Sequence, residues 1–191
     1  RVDRGIFGYA FITEVYLNAV QGWMKRRHGY PIEHDWIVPT IGIVPALSMI
    51  VRKFSSPGEK VLIQRPVYYP FSNAIKNNDR SVLCSPLKLE NNRYQMDLED
   101  LEEKAADPEV QLMILCSPHN PVGRAWSFED IQKVGEICLK HQVLLVADEI
   151  HGDLIMPGHQ FHSYGLLDPK LLENVIICTA PSKSFNLAGL K

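Results

Sequence analysis

The sequence predicts an α/β fold with a mostly parallel sheet, and three apolar runs support this prediction. Residues 110–116, 143–147 and 175–178 are nearly continuous aliphatic stretches, too short for typical helices. A segment with helical periodicity separates the first two runs, which indicates a strand–helix–strand unit. Strands joined in this way are parallel and have a right-handed crossover.

The composition is that of an ordinary globular protein. The 191 residues are 46% hydrophobic and 22% charged, which is enough for one substantial core. The formal net charge of −2 gives no basic surface that would indicate a nucleic-acid partner. The apolar runs are too short to span a bilayer, and the sequence begins with no signal-peptide pattern. We therefore expect no nucleic-acid partner, no membrane span and a cytoplasmic location.

The cysteines favour a reducing compartment. Cys84, Cys116, Cys138 and Cys178 are widely spaced and form no C-x-x-C pair. We interpret all four as buried free thiols rather than as disulfides or zinc ligands. His159 and His162 lie in a loop rich in proline and glycine without a clear third ligand, so we predict no metal site.

Two helices are predicted before the first strand. Thr13 can cap a helix that runs to about Arg27, and Gly29 suits the left-handed position after it. Residues 36–39 are predicted to be extended. A second helix opens around Pro45, which fits a first turn, and its apolar stripe consists of Leu47, Ile50, Val51 and Phe54.

The middle of the chain alternates between strands and helices. Strands are predicted at 60–64 and 81–84, with a helix at 71–77 between them and an irregular polar segment at 85–96. Asp97 can cap the next helix, which runs through Ala106. Ser127 and Asp130 form a capping pair for the helix inside the strand–helix–strand unit.

Polar or aromatic side chains follow four of the predicted strands. In open α/β sheets the carboxyl edge of the strands is where ligands bind. The N-terminus of the second helix, near residues 42–44, can face the same edge and offer free N–H groups to a phosphate. The side chains that follow the strands are Tyr68, Asn120, Asp148 with His151, and Lys183.

This set has the chemistry that pyridoxal 5′-phosphate (PLP) needs. A lysine forms a Schiff base with the aldehyde, an acid keeps the pyridine nitrogen protonated, and an aromatic ring covers the cofactor. Each residue alone has a commoner explanation: a solvated loop lysine, a strand-end carboxylate or magnesium ligand, a packing histidine, a plain turn at Asn120. Only their joint arrival at one edge favours a cofactor site.

The chain also resembles a known family. It is similar to the fold-type I PLP-dependent enzymes of the aminotransferase class I/II superfamily, and within it to the cystathionine β-lyase branch of PatB-type C–S lyases. The resemblance covers nearly all of the chain, and the run through His119, Asn120, Gly123 and Arg124 is specific to this branch. The matching stretches are 117–124, 147–151 and 182–186, with 66–68 and 5–9 in support.

The resemblance implies a three-layer α/β/α sandwich in which residues 1–191 form a single, partial PLP-binding large domain. The chain starts at Arg1 rather than Met and stops soon after Lys183, so we expect a fragment or truncation that lacks the small C-terminal domain and its substrate-binding arginine.

A homodimer is also implied. The implied roles are Lys183 as the Schiff-base lysine, Asp148 at the pyridine nitrogen, Asn120 at the phenolic oxygen with His151 beside it, Tyr68 stacked on the ring, Ile43, Val44 and Ser182 at the phosphate, and Tyr9 at the phosphate of the neighbouring subunit.

The implied activity is β-elimination. A PLP-dependent C–S lyase would cleave L-cystathionine or related L-cysteine S-conjugates to a thiol, pyruvate and ammonia. An aminotransferase of the same superfamily is an alternative, because it shares the chemistry at Cα and differs in where the proton returns. A truncated, inactive fragment that binds PLP or a protein partner is a further alternative.

Overall fold

The computed structural model describes residues 2–6, 8–9 and 11–189. Phe7, part of the matching stretch 5–9, lies outside the described residues, as do Arg1 and Lys191, on which the expectation of a fragment rests. The chain divides into two compact units, Arg1–Pro39 and Thr40–Lys191, and each is described by itself. Within the described residues no helix is long and apolar enough to cross a membrane.

The first unit is built around helix α1, Glu14–Trp23. It begins at Thr13, whose hydroxyl accepts a hydrogen bond from the backbone N–H of Tyr16 at 3.3 Å. It continues as π-helical turns over Met24–His28 and ends at Gly29, which has a φ of 81°. The predicted helix from Thr13 to about Arg27 is thereby confirmed.

The extended segment predicted at 36–39 is wrong at its first residue, Trp36, whereas the next residue, Ile37, is extended as predicted. Trp36 does not open an extended segment, because it closes a 3₁₀ turn over His34–Trp36. The backbone N–H of Trp36 donates to the carbonyl of Glu33 at 3.1 Å. A single short turn has no hydrophobic periodicity, so the sequence pattern does not reveal it.

The second unit is a parallel sheet with helices packed on it, as predicted. In the described part of the chain the sheet has five strands, and all of its pairings are parallel. Their spatial order is Ser81–Pro86, Lys60–Arg65, Val110–Cys116, Leu144–Asp148 and Val175–Cys178. The strands are β1 Lys60–Arg65, β2 Ser81–Pro86, β3 Lys88–Glu90, β4 Arg93–Gln95, β5 Val110–Cys116, β6 Leu144–Asp148 and β7 Val175–Cys178. The helices are α2 Ile43–Phe54, α3 Pro70–Lys76, α4 Leu98–Ala105, α5 Phe128–Lys140, α6 Pro169–Leu172 and α7 Pro181–Ser184.

Two apolar layers sandwich this sheet. Helices α2 and α3 cover one face, where Leu47, Val51 and Phe71 pack on β1 and β5. Helices α4 and α5 cover the other face, where Leu101 and Ile131 are buried. We call these the α2/α3 face and the α4/α5 face. The three-layer α/β/α arrangement is therefore confirmed.

Local hydrogen bonds explain where the helices of the α4/α5 face begin. The carboxylate of Asp97 accepts from the N–H of Asp100 at 3.3 Å and caps α4. Ser127 and Asp130 form a reciprocal capping box at the start of α5, with bonds of 3.1 and 3.0 Å. Both capping predictions are confirmed.

Three details of the second unit differ from the predictions. Residues 85–96 are not irregular, because β3 and β4 form an antiparallel hairpin around Asn91 and Asn92, which both have positive φ. Phe54 is 46% exposed, so the apolar stripe of α2 ends at Val51. Cys84 is only half-buried because it lies on β2, an edge strand, whereas the other three cysteines are buried free thiols.

Glu149 links the end of β6 to a distant segment beneath the α4/α5 face. Its carboxyl oxygens accept hydrogen bonds from the hydroxyl of Ser163 and from the backbone N–H of Tyr164, both at 2.7 Å. The side chain is buried, and burial raises its pKa to about 8. Nearby Asp148 contributes in the same direction, and the two hydrogen bonds oppose the shift. Glu149 is therefore mainly protonated at neutral pH.

We predict that Glu149 makes the stability of the protein fall between about pH 5 and pH 8. The folded protein keeps a proton that the unfolded chain releases near 4.5, so the stabilisation is complete at low pH and is lost as the pH rises through about 8. Glu149→Gln resembles the protonated form. Its free energy of unfolding should lie within about 1 kcal/mol of that of wild type at pH 6 and should exceed that of wild type at pH 9.

Denaturant unfolding at both pH values measures this difference. Glu149→Ala is the comparison variant, because it removes the hydrogen bonds to both Ser163 and Tyr164. The alanine substitution should lower the free energy of unfolding by about 2–3 kcal/mol at pH 6. If the glutamine variant keeps the pH dependence of wild type over this range, Glu149 is not the titrating group.

Candidate functional site

The carboxyl ends of β1, β5, β6 and β7 meet at one edge of the sheet, because these strands are parallel neighbours. The loops that follow them are joined by hydrogen bonds. The backbone N–H of Tyr68 donates to the carbonyl of Asn120 at 3.0 Å. The ring of His151 donates to the carbonyl of Pro118. The structure thus brings together the loops after the first, fifth and sixth strands.

Asp148 is the last residue of β6, and its side chain is 3% exposed. One carboxylate oxygen accepts the backbone N–H of Ile150 at 3.1 Å. Burial raises the pKa of Asp148 to about 6, and the Ile150 bond opposes this shift. Among the described residues no basic side chain forms an ion pair with it. A carboxyl group held in this way can accept a cation or a strong N–H donor from a ligand.

Two cysteines flank Asp148 in register. Cys116 on β5 and Cys178 on β7 are its direct neighbours across the sheet. Burial raises the pKa of each thiol to about 12, so both stay protonated. Cys116 also shapes the next loop: its sulfur accepts the N–H of Asn120 and donates to the carbonyl of Pro118, both at 3.3 Å. The sequence patterns indicated only burial for these two residues.

Lys183 lies in α7, the short turn that follows β7, and it is exposed. His151 is near enough for their charges to interact. Burial lowers the pKa of His151, and the positive charge of Lys183 lowers it further, whereas the bond to Pro118 opposes both. The neutral imidazole is therefore favoured near the lysine, and two of the predicted site residues, His151 and Lys183, lie near each other.

A side-chain hydrogen bond joins the same two segments, and the sequence patterns do not reveal it. The hydroxyl of Ser184 donates to the Oδ2 atom of Asp153 at 2.5 Å. The two residues are 31 positions apart, so no periodic pattern connects them. Their only signal was position: Asp153 follows Asp148 and His151 on one turn, and Ser184 follows Lys183.

The N-terminus of α2 offers free backbone donors. Gly42 precedes the helix with a φ of 132° and a ψ of 167°, a conformation that favours glycine. The N–H groups of Ile43 and Val44 begin the helix and have no intrahelical acceptor. A short connection joins the end of α2 to the start of β1, so α2 runs antiparallel to β1 and begins at the carboxyl edge of the sheet. Ser182, half-buried, lies in α7 beside Lys183.

The predicted aromatic residues differ in their surroundings. Tyr68 is 37% exposed, and its ring meets Phe71 edge-on at 6.2 Å and Tyr69 in a tilted contact at 5.6 Å. Part of the ring is therefore open to a ligand. Tyr9 belongs to the first compact unit and is 95% exposed, so its predicted role stays a prediction.

His119 has a structural environment that the motif alone did not reveal. It is buried, and neither ring nitrogen has a hydrogen-bond partner among the described residues. Burial lowers its pKa to about 4, so the ring is neutral. The ring meets Trp126 edge-on at 5.6 Å, and the guanidinium of Arg124 lies 5.5 Å from the Trp126 ring centre. Backbone bonds of His119 to Arg124 and Gly123 close the loop, and Gly123 has a φ of 67°.

Comparisons with known proteins agree with this geometry. A model of the aminotransferase class I and II family matches residues 3–191. Cystathionine β-lyase PatB of Bacillus subtilis is 47% identical over 191 residues, which cover 100% of this chain and 49% of that protein. The chain spans about half the length of the curated relatives it matches.

Solved structures give the same result. Cystalysin from Treponema denticola, which contains a PLP cofactor, matches with a TM-score of 0.95 and 44% identity over 98% of this chain and 48% of that one. A PLP-bound C–S lyase from Staphylococcus hominis matches with a TM-score of 0.92 and 32% identity over 99% of this chain and 49% of that one. Since the family model extends over nearly the whole sequence, the chain belongs to the aminotransferase class I and II family.

Proposed function

We propose that this chain provides the cofactor-binding part of a PLP-dependent carbon–sulfur β-lyase. The substrate would be L-cystathionine or a related L-cysteine S-conjugate, and the products a thiol, pyruvate and ammonia. The observation that favours a PLP site most is Asp148, a buried carboxyl group without a basic partner among the described residues, at the sheet edge where His151 meets Lys183. Similarity to PatB and to C–S lyases favours this chemistry over amino transfer.

The donor set fits PLP. Asp148 would accept the N–H of the pyridine ring, because it is a buried acid with which no basic side chain among the described residues forms an ion pair. The N–H groups of Ile43 and Val44 would bind the phosphate, with the hydroxyl of Ser182. Tyr68 would stack on the ring, and Asn120 would donate to the phenolic oxygen. The family resemblance suggests these roles, and the shared edge of the parallel strands is consistent with them.

When bound, PLP supplies an electron sink for the charge that develops at the substrate Cα. Lys183 Nζ would hold the cofactor aldehyde, and its amine would accept the proton from the substrate Cα. Asp148 would hold the proton on the pyridine nitrogen. His151, oriented by its bond to Pro118, would keep a neutral ring beside Lys183.

The assembly and location are also part of this proposal. We infer a homodimer in which Tyr9 reaches the cofactor phosphate of the neighbouring subunit. We also infer a cytoplasmic location, because the four cysteines are free and three of them are buried. Residues 1–191 would be part of one PLP-binding large domain.

We predict that Lys183→Ala abolishes the reaction. With PLP, the full chain should develop a visible absorption band that borohydride fixes to Lys183, and it should release pyruvate from L-cystathionine. The variant should lose the band, and its rate of pyruvate release should fall by about 10²–10⁴-fold or more. This range is the usual contribution of a proton-transferring group.

Lys170→Ala is the matched control, because Lys170 is another exposed lysine in a short helix that a proline opens. It should behave as wild type. Pyruvate release by Lys183→Ala at the rate of wild type would refute the role of the lysine. Amino transfer that needs a keto acid and releases no pyruvate would identify an aminotransferase.

We predict that Asp148→Asn weakens PLP binding more strongly as the pH rises. The pKa of Asp148 is about 6, so above this pH wild type offers a carboxylate to the protonated ring, which asparagine cannot do. The ratio of the two dissociation constants should grow to about 10–100 above pH 7 and shrink below pH 5.

Fluorescence titration with PLP across this pH range measures the ratio. Glu149→Gln is the control, because it changes the neighbouring buried carboxyl on the opposite face of the sheet. It should leave the pH dependence of PLP binding intact. A ratio that is constant with pH would exclude Asp148 as the partner of the ring nitrogen.

We predict that Tyr9 acts across the dimer. A heterodimer of one Tyr9→Ala subunit and one Lys183→Ala subunit, purified through two different tags, would contain one site with both changes and one intact site. It should therefore show about half the activity of wild type. If Tyr9 served the site of its own subunit, both sites would be damaged and the heterodimer would be inactive.

A further inference from the structure

The turn after β6 and the turn that contains Lys183 lie close together, and one side-chain hydrogen bond joins them. His151 interacts electrostatically with Lys183, and Asp153 accepts the hydroxyl of Ser184 at 2.5 Å. Ser184 is the last residue of α7 and directly follows the lysine. The hydrogen bond between Asp153 and Ser184 takes no part in the proposed binding of PLP or in the proposed proton transfer.

Helix α7 has little internal support. It spans four residues, and bonds such as that from the N–H of Phe185 to the carbonyl of Pro181, at 2.9 Å, close a single turn. One helical turn is unstable by itself, because few hydrogen bonds offset the ordering of its backbone. The position of Lys183 therefore depends on contacts with the rest of the fold.

Asp153, by contrast, stands on a well-defined turn. The N–H of Gly152 donates to the carbonyl of Glu149, and the N–H of Leu154 donates to that of His151, both at 2.9 Å. Gly152 packs directly on Phe161: a Cβ at this position would lie 2.8 Å from the Cε1 atom of that ring. This turn can therefore act as a fixed support for α7.

We propose that Asp153 and Ser184 are a positioning pair that holds the α7 turn so that Lys183 faces the cofactor aldehyde, an inference that rests on the proposed function. Neither residue touches the reacting atoms. Because Asp148 ends β6, and His151 and Asp153 lie on the turn that follows it, the pair also fixes the lysine relative to Asp148.

Two cofactor forms separate this role from general damage to the fold. PLP reacts with Lys183 through its aldehyde, whereas pyridoxamine 5′-phosphate has an amine at that position and cannot. In the full chain, Ser184→Ala and Asp153→Ala should each raise the dissociation constant of PLP about tenfold. Both should leave that of pyridoxamine 5′-phosphate within about twofold of wild type.

The double variant and a conservative variant complete the test. Since both changes break the same bond, the double variant should be about tenfold weaker rather than about a hundredfold. Ser184→Thr keeps the hydroxyl and should restore PLP affinity. Ser85→Ala is the matched control: it removes another serine-to-aspartate bond, 2.6 Å long, to Asp100, and should not change PLP affinity.

Several results would overturn the proposal. These are unchanged PLP affinity in Ser184→Ala, an equal loss of affinity for both cofactor forms, independent effects of the two substitutions, or no rescue by threonine. If Asp153→Ala fails to fold, the alanine and threonine variants at the half-buried Ser184 decide the question. If wild type binds neither cofactor form, the proposed function itself is wrong; if only the variants deviate from expectation, only the positioning pair is wrong.

Discussion

The burial of Asp148 is the constraint on which the site depends. A carboxyl group inside a protein is costly unless a cation or hydrogen bonds compensate for the lost water. Here the described residues provide one backbone N–H, and the pKa rises to about 6. The register of three parallel strands causes this burial, because it places Asp148 between Cys116 and Cys178. A ligand with a cationic ring nitrogen would relieve it.

Asp148 and Glu149 show how one strand end serves two purposes. Side chains alternate between the faces of a strand, so two adjacent acids point to opposite sides of the sheet. Glu149 is enclosed on the α4/α5 face and satisfied by Ser163 and Tyr164. Asp148 lies on the α2/α3 face, where α2 begins at the same edge. The first acid remains available to a ligand, and the second stabilises the segment that packs beneath it.

The sequence predicted the sheet well because parallel strands are buried on both faces and appear as continuous aliphatic runs. It also predicted the shared edge, since parallel strands place the loops of Tyr68, Asn120, Asp148 and Lys183 on one side. It missed the β3–β4 hairpin because short exposed strands show no alternation. It missed the bond between Asp153 and Ser184 because hydrogen bonds across 31 residues leave no periodic signal. The cofactor roles of all the predicted site residues stay predictions, and those of Tyr9 and Ser182 rest on resemblance alone.

The turn from Asp148 to Asp153 connects these observations. Asp148 faces the ligand side of the sheet, His151 bonds to the loop after β5, and Asp153 bonds to the helical turn after β7. Gly152 allows this arrangement, because any larger residue would collide with Phe161. A turn with three different partners can transmit a local displacement to the acid and the lysine together. The close packing of Gly152 on Phe161 therefore supports the turn that lies between Asp148 and the bond to Ser184.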